Sequence, residues 1–121
     1  MEKTLAEKKE LQTLVSIITQ TVPAIDVILF GSFAYGEPTE ESDIDLYVVI
    51  KDESMRPVEA MQKISSAIGK IQKRPVDILV GSESNFAERS KKSSAIERIV
   101  HQKGIPLFSK KAARFLGENY A

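Results

Sequence analysis

The sequence predicts an α/β (α+β) fold. Its centre is a small mixed sheet of three to four strands, ordered 1-2-3, with the first strand antiparallel and helices flanking it. Three observations lead there. The chain has 121 residues, an ordinary size for one domain spanning 1–121. Runs of helical and strand period alternate as α-β-loop-β-α-β-α. The second and third strands are joined through a helix, which makes them parallel with a right-handed crossover. The loop between the first and second strands is short enough for an antiparallel pair.

Each element has its own signal. Residues from about 4 to 20 read as a helix: Leu11, Leu14, Val15 and Ile18 fall at i, i+3, i+4 and i+7, and Pro23 ends it. Ile25 to Phe30 is a β-rich run closed by Gly31. Gly31 to Ser42 reads as a loop, with one helical turn at Phe33-Ala34-Tyr35. Ile44 to Ile50 is nearly all apolar, as for a strand covered on both faces. Val58, Met61, Ile64, Ile68 and Ile71 keep helical spacing, with Pro57 tolerated in the first turn. Pro75 to Val80 is the third strand. Asn85 to about Lys103 reads as one helix, with Asn85 and Glu88 as a capping box and Gly104 at its C′ position. Ile105 to Phe108 is a short edge strand where Pro106 is tolerated. Ala112 to Leu116 makes a last helical turn in a short tail, 109–121.

Composition removes several classes of function. The chain has no cysteine, hence no disulfide framework, no thiolate metal site and no cysteine nucleophile. One histidine, His101, leaves little for a histidine-built metal site, and it reads as a solvent-facing residue near a helix C-terminus. Lys+Arg and Asp+Glu both number 17, so a broad nucleic-acid binder is not expected. No apolar run approaches a membrane span and the N-terminus does not read as a signal peptide, so a cytoplasmic location is expected.

The charges are unevenly placed. Glu37, Glu40, Glu41, Asp43 and Asp45 form an acidic knot without a base, and the glutamates read as a solvated loop. From Glu88 to Arg114 there are eight bases against two acids, which is either a solvated face or a place for an acidic partner to dock. The knot carries the chemistry. Asp43 and Asp45 stand two apart at the opening of a strand, so both carboxylates point the same way. Like charges that close need a counter-charge, and a hard divalent cation such as Mg²⁺ supplies it. Asp77 sits inside an otherwise apolar strand and joins the pair if the third strand lies beside the second. Three carboxylates suit two metal ions about 3.5–4 Å apart, the arrangement of in-line displacement at phosphorus. Gly31-Ser32, directly after a strand, lets backbone and a hydroxyl approach phosphate oxygens. Ser42 shapes the turn before the acids and is set with them on the nucleotide side. Tyr35, Tyr47 and Tyr120 read as packing residues.

Gly31-Ser32, ten residues, then Asp43-Ile44-Asp45 resembles the signature of the DNA polymerase beta-like nucleotidyltransferase superfamily, above all its minimal nucleotidyltransferases. The resemblance covers most of the chain, through Val76-Asp77-Ile78-Leu79-Val80 to Gly104-Ile105-Pro106-Leu107-Phe108. It implies the nucleotidyltransferase fold and contact of Gly31 and Ser32 with the triphosphate of ATP. It implies two Mg²⁺ on Asp43, Asp45 and Asp77. It further implies an antitoxin that transfers AMP to a tyrosine of a helical HEPN partner. Relatives often carry Arg near the positions of Phe33 and Tyr35, and Arg74 and Lys51 are the substitutes at hand. Two other readings compete: a non-catalytic antitoxin that occludes its partner, and a transferase for an aminoglycoside-like hydroxyl. The oligomeric state is left open.

Overall fold

The computed structural model describes residues 5–35, 42–110 and 114–115. Helix α1 (Leu5–Thr21) leads to strand β1 (Ala24–Phe30), a one-turn helix α2 (Ser32–Tyr35) and strand β2 (Ile44–Ile50). Helix α3 (Pro57–Ile68) crosses to strand β3 (Val76–Ser82). Helices α4 (Glu83–Arg89) and α5 (Ile96–Lys103) follow, then strands β4 (Ile105–Ser109) and β5 (Arg114–Phe115). The sheet is ordered β3-β2-β1-β4-β5. β2 and β3 are parallel, and the pairs β1–β2, β1–β4 and β4–β5 are antiparallel. The expected order and directions of the first three strands therefore hold, and the small fourth strand extends the sheet beside β1.

One face of the sheet carries the main core. Val27 and Leu29 of β1, with Ile44, Leu46, Val48 and Ile50 of β2, alternate onto this face and are buried. The α1 stripe Leu11, Leu14, Val15 and Ile18 packs on them. The α3 stripe is Ala60, Ile64 and Ile68, with Met61 beside it. It differs from the expected one at both ends: Val58 and Ile71 are exposed, and Ile71 lies past the end of the helix. Each fully buried Leu or Ile contributes about 1.5–3 kcal/mol.

The other face holds a smaller cluster of Tyr47, Val49 and Val100, with Ile28, Phe30 and Phe86. Here the structure corrects four expectations. The helix expected over 85–103 is two helices. Ser90-Lys91-Lys92-Ser93-Ser94 has no apolar residue to bury and places two lysines side by side, and the Ser90 hydroxyl donates to the Ala87 carbonyl at 2.8 Å. The first cap is Ser82, whose Oγ accepts from the Asn85 amide, rather than a box of Asn85 and Glu88. Gly104 caps α5 in an extended conformation (φ −66°, ψ 154°) instead of the left-handed one. It is required for space, since a Cβ there would overlap the Val100 carbonyl and Ile28. The last helical turn expected over 112–116 is, at Arg114–Phe115, a strand paired with β4, so β4 is flanked on both sides at Phe108 and Ser109. Residues 111–113 and 116–121 of the tail lie outside the described residues, as do Glu37, Glu40 and Glu41.

Candidate active site

The carboxylates gather where β2 begins. The Ile44 amide donates to the Pro75 carbonyl at 3.0 Å, which fixes the register of the two parallel strands. Asp45 then stands opposite Asp77, and the two side chains share the less covered face. Strand β3 is the edge of the sheet, so Asp77 is exposed and needs no core explanation, while Asp45 is half-buried. Asp43 lies just before β2 and is exposed.

The pair is electrostatically strained. Burial pushes the Asp45 carboxyl up to about 6, aided by the charge of Asp77, a hydrogen bond to Asp77 and the charge of Asp43. An all-oxygen donor set with unbalanced negative charge fits a hard divalent ion. Among the described residues no three acids are close enough to form a ready-made cage. Asp45 and Asp77 are thus a pair that Asp43 and a ligand's own oxygens would complete.

Gly31 presses on this pair from the other flank. It has φ +77°, and a Cβ at this position would overlap Asp45 Oδ2 and lie 3.1 Å from Asp45 Cγ. Only glycine lets β1 turn into α2 over the carboxylate. The α2 turn closes on Gly31, whose carbonyl accepts from the Ala34 and Tyr35 amides at 3.0 and 3.1 Å. Ser32 is exposed beside it, and Ser42 is half-buried at the entry to β2. The structure therefore brings Gly31, Asp45 and Asp77 into one neighbourhood, with Ser32 and Asp43 at its margins.

Two expected cations are elsewhere. Arg74 pairs with Glu10 of α1, Nη2 to Oε1 at 3.1 Å and Nε to Oε2 at 3.1 Å, and its guanidinium lies 5.2 Å over the Phe33 ring. Its side chain is only 9% exposed, so it braces α1 against α2 and does not stand in for a phosphate-binding arginine. Lys51 follows the far end of β2, about 20 Å along the strand from Asp45 at ~3.3 Å per residue.

The structure also shows a polar cluster that the residue-by-residue reading missed. Two places beyond Asp45 on the same face, Tyr47 is buried and its hydroxyl donates to Glu97 Oε2 at 2.7 Å. Glu97 Oε1 accepts from Arg89 Nε at 3.0 Å. Burial alone would raise Glu97, but the bonds from Tyr47, its own backbone and Arg89 outweigh it and hold its carboxyl below the usual range. Burial, the bond and the negative charge of Glu97 push the Tyr47 phenol up, so the proton stays on tyrosine. Gly81 of β3 leaves room for that hydroxyl, which a Cβ there would overlap. The available signal was Glu97 itself, a lone acid three residues before Val100 on the inward side of a basic helix. His101 is exposed in the last turn of α5, as expected, with its ring edge-on to Phe86 at 6.3 Å.

A mixed sheet with a glycine turn pressed on a strand-opening carboxylate pair is the frame of a phosphoryl-group transferase. The chain belongs to the nucleotidyltransferase domain family, whose model matches residues 9–105. A "putative protein adenylyltransferase" of Methanocaldococcus jannaschii is 35% identical over 78 residues, covering 64% of this chain and 78% of the relative. A crystal structure titled as a "putative nucleotidyltransferase" from Sulfolobus solfataricus superposes with a TM-score of 0.63 at 22% identity, over 96% of each chain, and shares the fold. The protein is a transferase of this family. Among the described residues no helix is long and apolar enough to cross a membrane.

Proposed function

We propose that this chain transfers AMP from ATP to a hydroxyl of a protein acceptor, with Mg²⁺, and that it acts as an antitoxin by modifying a tyrosine of a helical HEPN partner. One observation carries the nucleotide part: Gly31 is packed on Asp45, which stands in register with Asp77. The named relative supports the choice of a protein as acceptor and of adenylyl as the group.

Asp43, Asp45 and Asp77 would hold two Mg²⁺, which would supply charge neutralisation on the triphosphate and acidify the acceptor hydroxyl. The chain's own residues do the rest. Asp77, exposed on the edge strand, faces the side from which an acceptor arrives and takes the hydroxyl proton. The acceptor oxygen bonds to the α-phosphorus as the bond to the bridging oxygen breaks. Ser32 and the Gly31-Ser32 amides receive the leaving pyrophosphate.

The test is labelling of a co-encoded helical partner with α-labelled ATP and Mg²⁺. Label on a partner tyrosine, lost in Asp45→Asn, is the expected result. Neutralisation of the partner without label in the wild-type protein would replace catalysis with occlusion.

A further inference from the structure

Strand β3 ends the sheet, and among the described residues no strand pairs with its outer side. It runs beside β2 without a bulge from Val76 to Ser82. The Ile44 amide bonds to the Pro75 carbonyl, so Pro75, Asp77, Leu79 and Gly81 turn their backbone groups toward β2. The N–H and C=O groups of Val76, Ile78 and Val80 therefore point away from the sheet. Such a row is a template for another strand, and proteins commonly blunt it with lysine, proline or a bulge. β3 has none of these, and Asp77 is its one charged residue.

Apolar walls flank this edge. At Leu79 and Val80 a groove of about 180 Å³ is lined by Val58 and Met61 of α3 and by Ile96 of α5. α3 belongs to the main-core face and α5 to the other, so the two walls stand on opposite faces of β3. Val58, Leu79 and Ile96 are large apolar side chains left exposed. The side chains of an added strand would alternate between the two walls. Charge orders the occupant along the groove. Its apolar end has no free charge, because Glu97 is bonded to Tyr47 and Arg89. Its other end holds Asp77, with Asp45 opposite and Asp43 before it. A segment with neutral or basic residues at the Asp77 end and apolar residues beyond fits both ends, and an acidic segment fits neither.

We infer that the outer edge of β3 is the docking site of the protein acceptor, and that an extended apolar segment of the acceptor pairs there as a sixth strand. The inference rests on the nucleotidyl-transfer reading and adds to it how the acceptor is held. A residue opposite Asp77 on the added strand puts its side chain on the face that Asp77 shares with Asp45, about 5 Å from Asp77. The added strand stands two spacings, about 10 Å, from β2, so a long hydroxyl side chain such as tyrosine spans back toward Asp45 where serine falls short. In a helical acceptor the segment is a chain end or a connection between helices.

Amide hydrogen exchange of the full wild-type chain, alone and with the co-encoded helical partner, tests it without any substitution. The outward amides of Ile78 and Val80 should exchange at least about tenfold more slowly with the partner present. Two variants then test transfer. Val80→Pro removes one outward donor and no ladder bond, and Leu79→Lys puts a charge into the apolar groove. Each should raise the KM for the partner at least about tenfold and leave the Kd of Mg·ATP within about twofold of the wild type. Ile71→Lys, at an exposed apolar residue outside the groove, should change neither. Circular dichroism checks each fold. Unchanged exchange at Ile78 and Val80 would overturn the inference. So would a wild-type KM in folded Leu79→Lys, equal losses of Mg·ATP and partner, or a dimer of the chain alone that Leu79→Lys dissociates, which would give the edge to a second copy. If the wild-type protein labels no partner, the transfer reading itself fails, and that result is seen before any variant is made.

Discussion

Strand β2 presents two acidic clusters on the same sheet face, one residue pair apart, and they are built in opposite ways. At Tyr47 the chain supplies its own answer to a buried charge. Glu97 takes a hydroxyl proton donor from β2 and a guanidinium from α4, and its carboxyl is held below the usual range. At Asp45 the chain supplies more negative charge. Asp77 stands opposite, Asp43 stands before it, and the carboxyl is pushed up to about 6. The first cluster is complete within the fold. The second has no cation of its own beside it in the described contacts, and a fold that satisfies Glu97 leaves Asp45 to be satisfied by a ligand.

The sharpest way to break this comparison is to neutralise one acid in each cluster. Asp45→Asn or Asp77→Asn should lower AMP transfer by at least about a thousandfold, several kcal/mol of transition-state stabilisation, while the metal-free variant resists urea at least as well as the wild type. Turnover measured on a folded variant decides it. Gly31→Ala should strike both stability and activity. It forces a side chain into a left-handed conformation, about 1–3 kcal/mol, and drives a methyl into Asp45. Urea unfolding and Mg·ATP binding should fall together.

The completed cluster should answer in stability. Glu97→Ala leaves the buried Tyr47 hydroxyl without its acceptor and should cost about 1–3 kcal/mol. Tyr47→Phe removes the donor and leaves the buried Glu97 Oε2 without it, and should cost a similar amount, about 1–3 kcal/mol. Urea midpoints give both values.

The smallest effect is a pH dependence. The folded chain binds the Asp45 proton more tightly than the unfolded chain, with the carboxyl near 6 against a reference of 3.8. The stability this gives the ligand-free fold is fully present below about pH 4, is lost as pH rises from there through about 6, and is gone above it. Asp45→Asn should raise the Tm of the metal-free protein at pH 8 and leave it nearly unchanged at pH 4.

Much of this was legible because the signals are local. The stripe of α1, the apolar run of β2 and the Gly31-to-Asp45 spacing each follow from residue period and turn chemistry. The register of Asp45 with Asp77 required only that β3 lie parallel beside β2. What escaped depended on distant partners. Arg74 reads as a free cation until α1 brings Glu10 to it, and Glu97 reads as one acid in a basic helix until the chain turns at 90–94. Nothing local marks that turn, because Ser and Lys are compatible with a helix, and only burial of Val100 and Glu97 against β2 favours the break. At Ala112–Leu116, Phe115 is instead drawn into pairing with Phe108, a contact no local period reveals.

Titration of Mg·ATP into the wild-type protein and into Asp45→Asn at neutral pH tests the central claim most directly. The account predicts saturable binding to the wild-type chain that needs the divalent ion and disappears in the folded variant. Equal binding by both would contradict it.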